Sequence, residues 1–187
     1  MPKVSVPKES LIEKVNCVYI RSIVMHLNQI YLSLGSNVGN RSEQLNKAIE
    51  LLNESGGVKK ISAVYETAAW GNTNQPPFLN LVLMMMTNDD SVNFMKKLLL
   101  IEEKMGRVRN QKWEARIIDI DILYFNSEII NDQELIVPHP HLQERKFVLE
   151  PLVEIAPDFI HPVLKLNSLE LLNNCTDQLQ IKKLQHA

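Results

Sequence analysis

Asp119 and Asp121 stand one residue apart in RIIDIDILYFN (116–126), a run that otherwise reads as a buried strand. Side chains two apart on a strand share a face. Ile117, Asp119, Asp121 and Leu123 should therefore point one way, and Ile118, Ile120, Ile122 and Tyr124 the other. The second row is a core face. The first sets two carboxylates side by side between apolar neighbours. A solvated sheet face accounts for one such aspartate. Two of them roughly 6 Å apart repel by about 3 kcal/mol at an effective dielectric of about 20. A divalent cation reverses the sign of that term. No His or Cys lies at ligand spacing beside the pair, which argues against zinc. Two carboxylates completed by water and substrate phosphates suit Mg²⁺.

An ion that carries polyphosphate needs cationic donors close by. EEKMGRVRNQKWEAR (102–116) supplies Lys104, Arg107, Arg109, Lys112 and Arg116 just before the strand. Guanidinium forks bind phosphate oxygens two at a time. A solvated basic loop is the plain alternative, and adjacency to the aspartates favours phosphate. Trp113 suits either stacking on a base or anchoring in the core. VPHPHLQERKF (137–147) adds His139, His141 and Arg145 for phosphate and Phe147 for stacking. GSNVGNR (35–41) lacks the Gly-Lys-Ser/Thr ending of a P-loop and reads as a tight turn before a helix. Met84 to Met86 read as core packing.

These residues need a scaffold. Strands are expected at 30–34, 58–67, 78–87 and 116–126, with a short edge strand near 128–132. Helices are expected from Arg41 to Glu54, from Asp90 or Ser91 to about Met105, and at 147–155, with 166–174 closing the fold. The apolar spacing places Leu45, Ala48, Ile49 and Leu52 on one side of the first helix, and Met95, Leu98, Leu99 and Glu102 on one side of the second. Strands interleaved with helices give an α+β class: a single domain with an antiparallel, ferredoxin-like sheet covered by helices.

The chain has 187 residues, 45% hydrophobic and 22% charged, enough for one well-cored domain. A formal charge of −2 excludes a protein whose main business is coating nucleic acid or an anionic membrane. Cys17 and Cys175 form no metal or redox spacing and fit free thiols in a reducing cytoplasm. VNCVYIRSIVM (15–25) is too short to span a bilayer, and no cleavage site follows it. Residues 1–27 are expected to be an extension, dispensable at least through residue 24, with 28–175 the organised domain and 176–187 a C-terminal tail.

GSNVGNR, YETAAWG, NQPPFLN, EEKMGRVR, ARIIDIDIL and VPHPHLQERKFVLEPL occur in an order and spacing that resembles 6-hydroxymethyl-7,8-dihydropterin pyrophosphokinases over residues 28–172. The resemblance implies a ferredoxin-like fold and a monomeric cytoplasmic transferase of folate biosynthesis. It implies ATP as co-substrate, two Mg²⁺ ions, and no nucleic-acid or membrane partner. The pyrophosphoryl group of ATP passes to the hydroxymethyl oxygen of the pterin, and AMP leaves. By the same resemblance, Asp119 and Asp121 are the metal ligands, and Arg107 and Arg116 steady the triphosphate. Arg109 and Trp113 lie on the loop that closes over ATP. Glu102, Ile122 (through its backbone), His139 and Arg145 fall at nucleotide positions. Thr67, Ala68 and Trp70 line the pterin pocket, Phe78 and Phe147 sandwich the ring, and Asn80 bonds its edge.

The sequence departs from this family at Glu114-Ala115, where Gly-Pro is common, at Ala68-Ala69 and at Leu99, and none of these removes a metal ligand or an arginine. Asp-x-Asp also serves sugar-nucleotide transferases and metal nucleases, but the first need a larger chain and the second a broader basic surface. An RNA-binding module of similar topology would carry a glycine-aromatic motif that is absent here.

Overall fold

Alternation begins at β1 (Asn28–Ser36), which sends Ile30, Leu32 and Leu34 to one face and Tyr31 and Ser33 to the other. The computed structural model describes residues 27–69, 75–107 and 115–184. Asn40 caps α1 (Arg41–Ser55) by accepting from the Glu43 N–H at 3.3 Å, and Leu45, Ala48, Leu51 and Leu52 form its buried side. Ile49 packs beside them, half-buried.

The strand expected at 58–67 is two strands, β2 (Gly57–Ile61) and β3 (Tyr65–Thr67). Side-chain bonds replace the ladder between them. The Ser62 hydroxyl accepts from Val82 N–H at 3.0 Å, and Ala63 N–H donates to both Glu154 carboxylate oxygens at 3.2 Å. β4 (Phe78–Thr87) follows, then α2 (Ser91–Lys104), capped by Asp90. Its buried stripe is Phe94, Leu98, Ile101 and Glu102, one step round from the expected Met95 and Leu99, which are half-buried. β5 (Asp119–Phe125) completes the core connectivity.

β6 (Ile130–Asn131) and β7 (Ile136–Val137) pair in their own small sheet, so 128–132 is not an edge of the main one. A 3₁₀ turn (Leu142–Glu144), α3 (Lys146–Ile155) and α4 (Ser168–Asn174) come next. Within the span expected as a tail, β8 (Ile181–Lys183) pairs with β3.

The main sheet runs β5-β1-β4-β3-β8, with β2 also on β4, and all its pairings are antiparallel. This is the ferredoxin-like order. α1 and α2 cover one face with a dry core built on Leu34, Leu81, Phe94 and Ile120. On the other face α3 and α4 cover Tyr31, Val82, Met84 and Tyr124, and the rest of that face stays open. Met84 and Met85 are buried as core. One expectation fails on β5. A register shift opposite Tyr31 and Leu32 makes Leu123 an extra residue, so Tyr124 joins Leu123 on the aspartate side and Phe125 enters the dry core. Among the described residues, no helix is long and apolar enough to cross a membrane.

Candidate active site

Register builds the site. Gly35 of β1 lies between Asp119 of β5 and Asn80 of β4, and Ser33 lies opposite Asp121. Thr67 of β3 pairs with Phe78. These positions share the uncovered part of the second face, where a cleft of about 340 Å³ opens. It is lined by Thr67, Ala68, Phe78, Asn80, Arg116, Asp119, Asp121, His139, Arg145 and Phe147, among others. Glycine at 35 is a requirement of space: a Cβ there would stand 2.9 Å from Asn80 Oδ1. The Asn80 amide donates to Thr67 Oγ1 at 2.7 Å, which fixes which way its other polar atom faces.

Asp119 is held by two guanidiniums. Arg107 reaches Oδ1 at 2.6 Å and Arg116 reaches Oδ2 at 2.5 Å. Gly106, at φ +88°, turns the chain off the end of α2 and delivers Arg107 to this spot. Glu102 stands behind the wall rather than on it. Its carboxylate is 3% exposed, pairs with Arg107, and accepts the Ile120 N–H at 2.8 Å. That N–H points off the open edge of β5, and the backbone of Ile122 shares its direction by the two-residue period of a strand. The Ile122 side chain is in the dry core.

Asp121 is the less satisfied carboxylate. Among the described residues, Arg145 at 3.8 Å and the His139 ring nitrogen Nε2 at 3.9 Å stand near it, beyond hydrogen-bond reach. Burial, then the Asp119 charge, pushes its carboxyl up to about 7. With 38% of the side chain open to the cleft, water tempers that effect. His139 moves the other way: burial and then Arg145 push it down to about 4, so it faces Asp121 as a neutral imidazole.

A magnesium ion fits this chemistry. Asp121 is a partly buried carboxylate in want of positive charge, and the two arginines on Asp119 supply that charge for its neighbour. Among the described residues, no cluster of three His, Cys, Asp or Glu forms a ready-made cage, so the remaining ligands would be water and substrate oxygens.

Sequence reasoning overlooked Asn37. It is 2% exposed, and its carbonyl oxygen accepts the Arg116 N–H at 2.6 Å while its own N–H donates to the Arg116 carbonyl at 3.1 Å. Its amide also donates to Gln75 Oε1 at 3.2 Å and to the Pro76 carbonyl at 3.3 Å. One asparagine thus ties Arg116, three residues before β5, to the segment before β4. Nothing in GSNVGN marks it from sequence, because both partners are distant in the chain. Arg109, Trp113 and Trp70 lie outside the described residues.

Fold and cleft together define a ferredoxin-like α+β enzyme scaffold, with carboxylates, arginines, an amide and two aromatics in one pocket, and the Arg145 guanidinium 5.8 Å from the centroid of the Phe147 ring. Residues 31–157 match the family model of 7,8-dihydro-6-hydroxymethylpterin-pyrophosphokinase (HPPK). The chain is 46% identical over 136 residues to the 2-amino-4-hydroxy-6-hydroxymethyldihydropteridine pyrophosphokinase of Aquifex aeolicus, covering 73% of this chain and 85% of that one. It is 42% identical to the enzyme of the same name from Bacillus subtilis, covering 69% and 78%. Among solved structures, the Plasmodium falciparum HPPK-DHPS superposes with a TM-score of 0.62 at 18% identity, over 79% of this chain and 41% of that longer one. The chain belongs to the 7,8-dihydro-6-hydroxymethylpterin-pyrophosphokinase family.

Proposed function

We propose that this chain transfers the pyrophosphoryl group of ATP to 6-hydroxymethyl-7,8-dihydropterin in folate biosynthesis. The hydroxymethyl oxygen attacks the β-phosphorus of ATP, the bond from that phosphorus to the α–β bridging oxygen breaks, and AMP leaves. The observation that carries this reading is the meeting, in one cleft, of Asp119, Asp121 and Arg116 with Phe78, Asn80 and Phe147.

Each role follows from chemistry. Phe78 and Phe147 hold a flat bicyclic ring between two faces, Asn80 gives its edge a donor and an acceptor, and Thr67 and Ala68 line the pocket around it, with Trp70, outside the described residues, assigned to the same pocket on the family resemblance. Arg107 and Arg116 neutralise Asp119 in the ligand-free protein and turn to the triphosphate as it arrives. Arg145 and His139 face the phosphates, the Ile122 backbone forms the nucleotide edge with Glu102 bracing it from behind, and Arg109 and Trp113, outside the described residues, are assigned to ATP on the family resemblance. Asp119 and Asp121 would hold two Mg²⁺ ions, which when bound neutralise phosphate charge and lower the pKa of the attacking hydroxyl. The arginines and the pocket supply positioning and charge stabilisation, which this class of transfer needs most. A cytoplasmic monomer working without nucleic acid or membrane fits the −2 charge. The working domain is proposed to start at residue 28 and to include β8 beyond the expected end at 175, with the segment before residue 28 dispensable.

The test is AMP release from ATP, Mg²⁺ and the hydroxymethyl pterin. Pterin-dependent AMP is expected. ADP in its place would make the protein a one-phosphoryl kinase and overturn the assigned point of attack.

A further inference from the structure

The family match ends at residue 157, yet the chain beyond it returns to the rear of the pterin pocket. β8 pairs with β3 in full register, Ile181 opposite Thr67 and Lys183 opposite Tyr65, and the Leu184 N–H donates to the Val64 carbonyl at 2.8 Å. β3 has only three residues. A strand that short is weakly ordered as a sheet edge and gains a second ladder here.

A second tie runs to the other wall. α3 starts without a cap of its own, since the Arg145 side chain makes no capping bond. Asp177 of the tail supplies one: its Oδ2 accepts the Lys146 N–H at 3.1 Å, while Oδ1 accepts the Leu179 N–H at 3.0 Å. A carboxylate at that position satisfies an orphan donor and complements the helix dipole. The next residue is Phe147, which lines the same cleft as Thr67 and Ala68. A third tie lies between them. Glu154 of α3 accepts from the Tyr65 hydroxyl at 2.9 Å, and Lys183 reaches the same Oε2 at 3.3 Å. Behind the wall, Thr67, Ala68 and Lys146 share a second hollow with tail residues Gln178 to Lys182.

We propose that residues 176–184 are a strap that sets the width of the pterin pocket, with Asp177 as its key positioning residue. The strap fixes the β3 wall through β8 and the Phe147 wall through the start of α3. Among the described residues the bonds of the three ties reach Val64, Tyr65, Lys146 and Glu154 and none reaches Asp119, Asp121 or Arg116, so the larger effect falls on the pterin. The inference rests on the pterin roles given above to Thr67, Ala68 and Phe147.

The experiment uses the full chain, an Asp177→Ala variant, an Asp177→Glu variant and a chain stopped after Cys175. It measures pterin Kd directly, ATP-analogue Kd without pterin, and steady-state KM and kcat. Pterin Kd and KM should rise about tenfold in Asp177→Ala, the scale of one lost charge-assisted hydrogen bond, with ATP-analogue affinity and kcat within about twofold. Asp177→Glu should recover most of the loss. The truncated chain, where it folds, should lose more. Unchanged pterin affinity in Asp177→Ala, or equal weakening for both substrates, would overturn the strap. A wild type that binds pterin and releases no AMP would sink the catalytic reading alone, because the pterin Kd comparison still decides the strap.

Discussion

The two faces of the sheet are made from the same strands and do opposite work. Under α1 and α2, Leu34, Leu81 and Ile120 meet Phe94 and Leu98 with almost no exposure, and Glu102 enters this side only with its carboxylate bonded to Ile120 and Arg107. Under α3 and α4 the face is filled only in part, and the rest holds the charged groups of the cleft, with Asp119 paired to two arginines and Asp121 less satisfied. Stability is concentrated on one side of a single sheet and reactivity on the other. β5 serves both, since Ile120 is core and its neighbours Asp119 and Asp121 are cleft.

Substitutions should separate the two faces. The largest effect is expected from Asp119→Ala with Asp121→Ala: AMP turnover should fall at least about a thousandfold while the melting temperature changes little, relief of the carboxylate repulsion offsetting the loss of Asp119's pairs to Arg107 and Arg116. A large loss of melting temperature alongside turnover would mean that the open face also supports the fold. Phe94→Ala, on the dry face, should cost about 3–5 kcal/mol in denaturant unfolding and leave kcat near wild type below the melting transition. Arg116→Ala should lower kcat about a hundred- to a thousandfold, on the scale of a lost charge-stabilising donor, with little change in pterin affinity.

Asn37→Ala blurs the comparison on purpose, because Asn37 is buried yet grips both sides of the cleft. It should cost about 1–3 kcal/mol for the donors and acceptors left unpaired, and lower kcat/KM more than its stability loss explains. Equal kinetics at matched stability would remove its positioning role. The smallest effect concerns pH. The Asp121 carboxyl is pushed up to about 7 from an ordinary 3.8, so its contribution to metal-free stability is full below about pH 4 and is lost as pH rises through 7. Asp121→Asn should therefore melt higher than wild type at pH 8 and alike near pH 4, and added Mg²⁺ should lift wild type more than the variant. Parallel melting curves across that range would show that Asp121 is not strained.

Much of this was legible in one dimension. The period of the apolar residues placed both long helices within a residue or two, and the Asp-x-Asp inside an apolar strand announced charged chemistry, because local pattern and burial agree there. What failed depended on partners far along the chain. The break at Ser62–Val64 exists because Val82 and Glu154 offer better bonds than a continuous ladder. The bulge that moves Tyr124 to the aspartate face exists because β1 sets the register. The stripe of α2 shifted by one position because Phe94 fills the core beneath the sheet.

The class of fold, the carboxylate pair and the arginines beside it can be read along the chain, since spacing on a strand or helix is a local property. Folding alone makes Asn37 a clamp between two distant segments, puts Glu102 behind the wall, and lets Asp177 cap a helix thirty-one residues away. Hydrogen bonds between remote segments leave no period in the chain, and they exist only once the sheet has set which residues face one another.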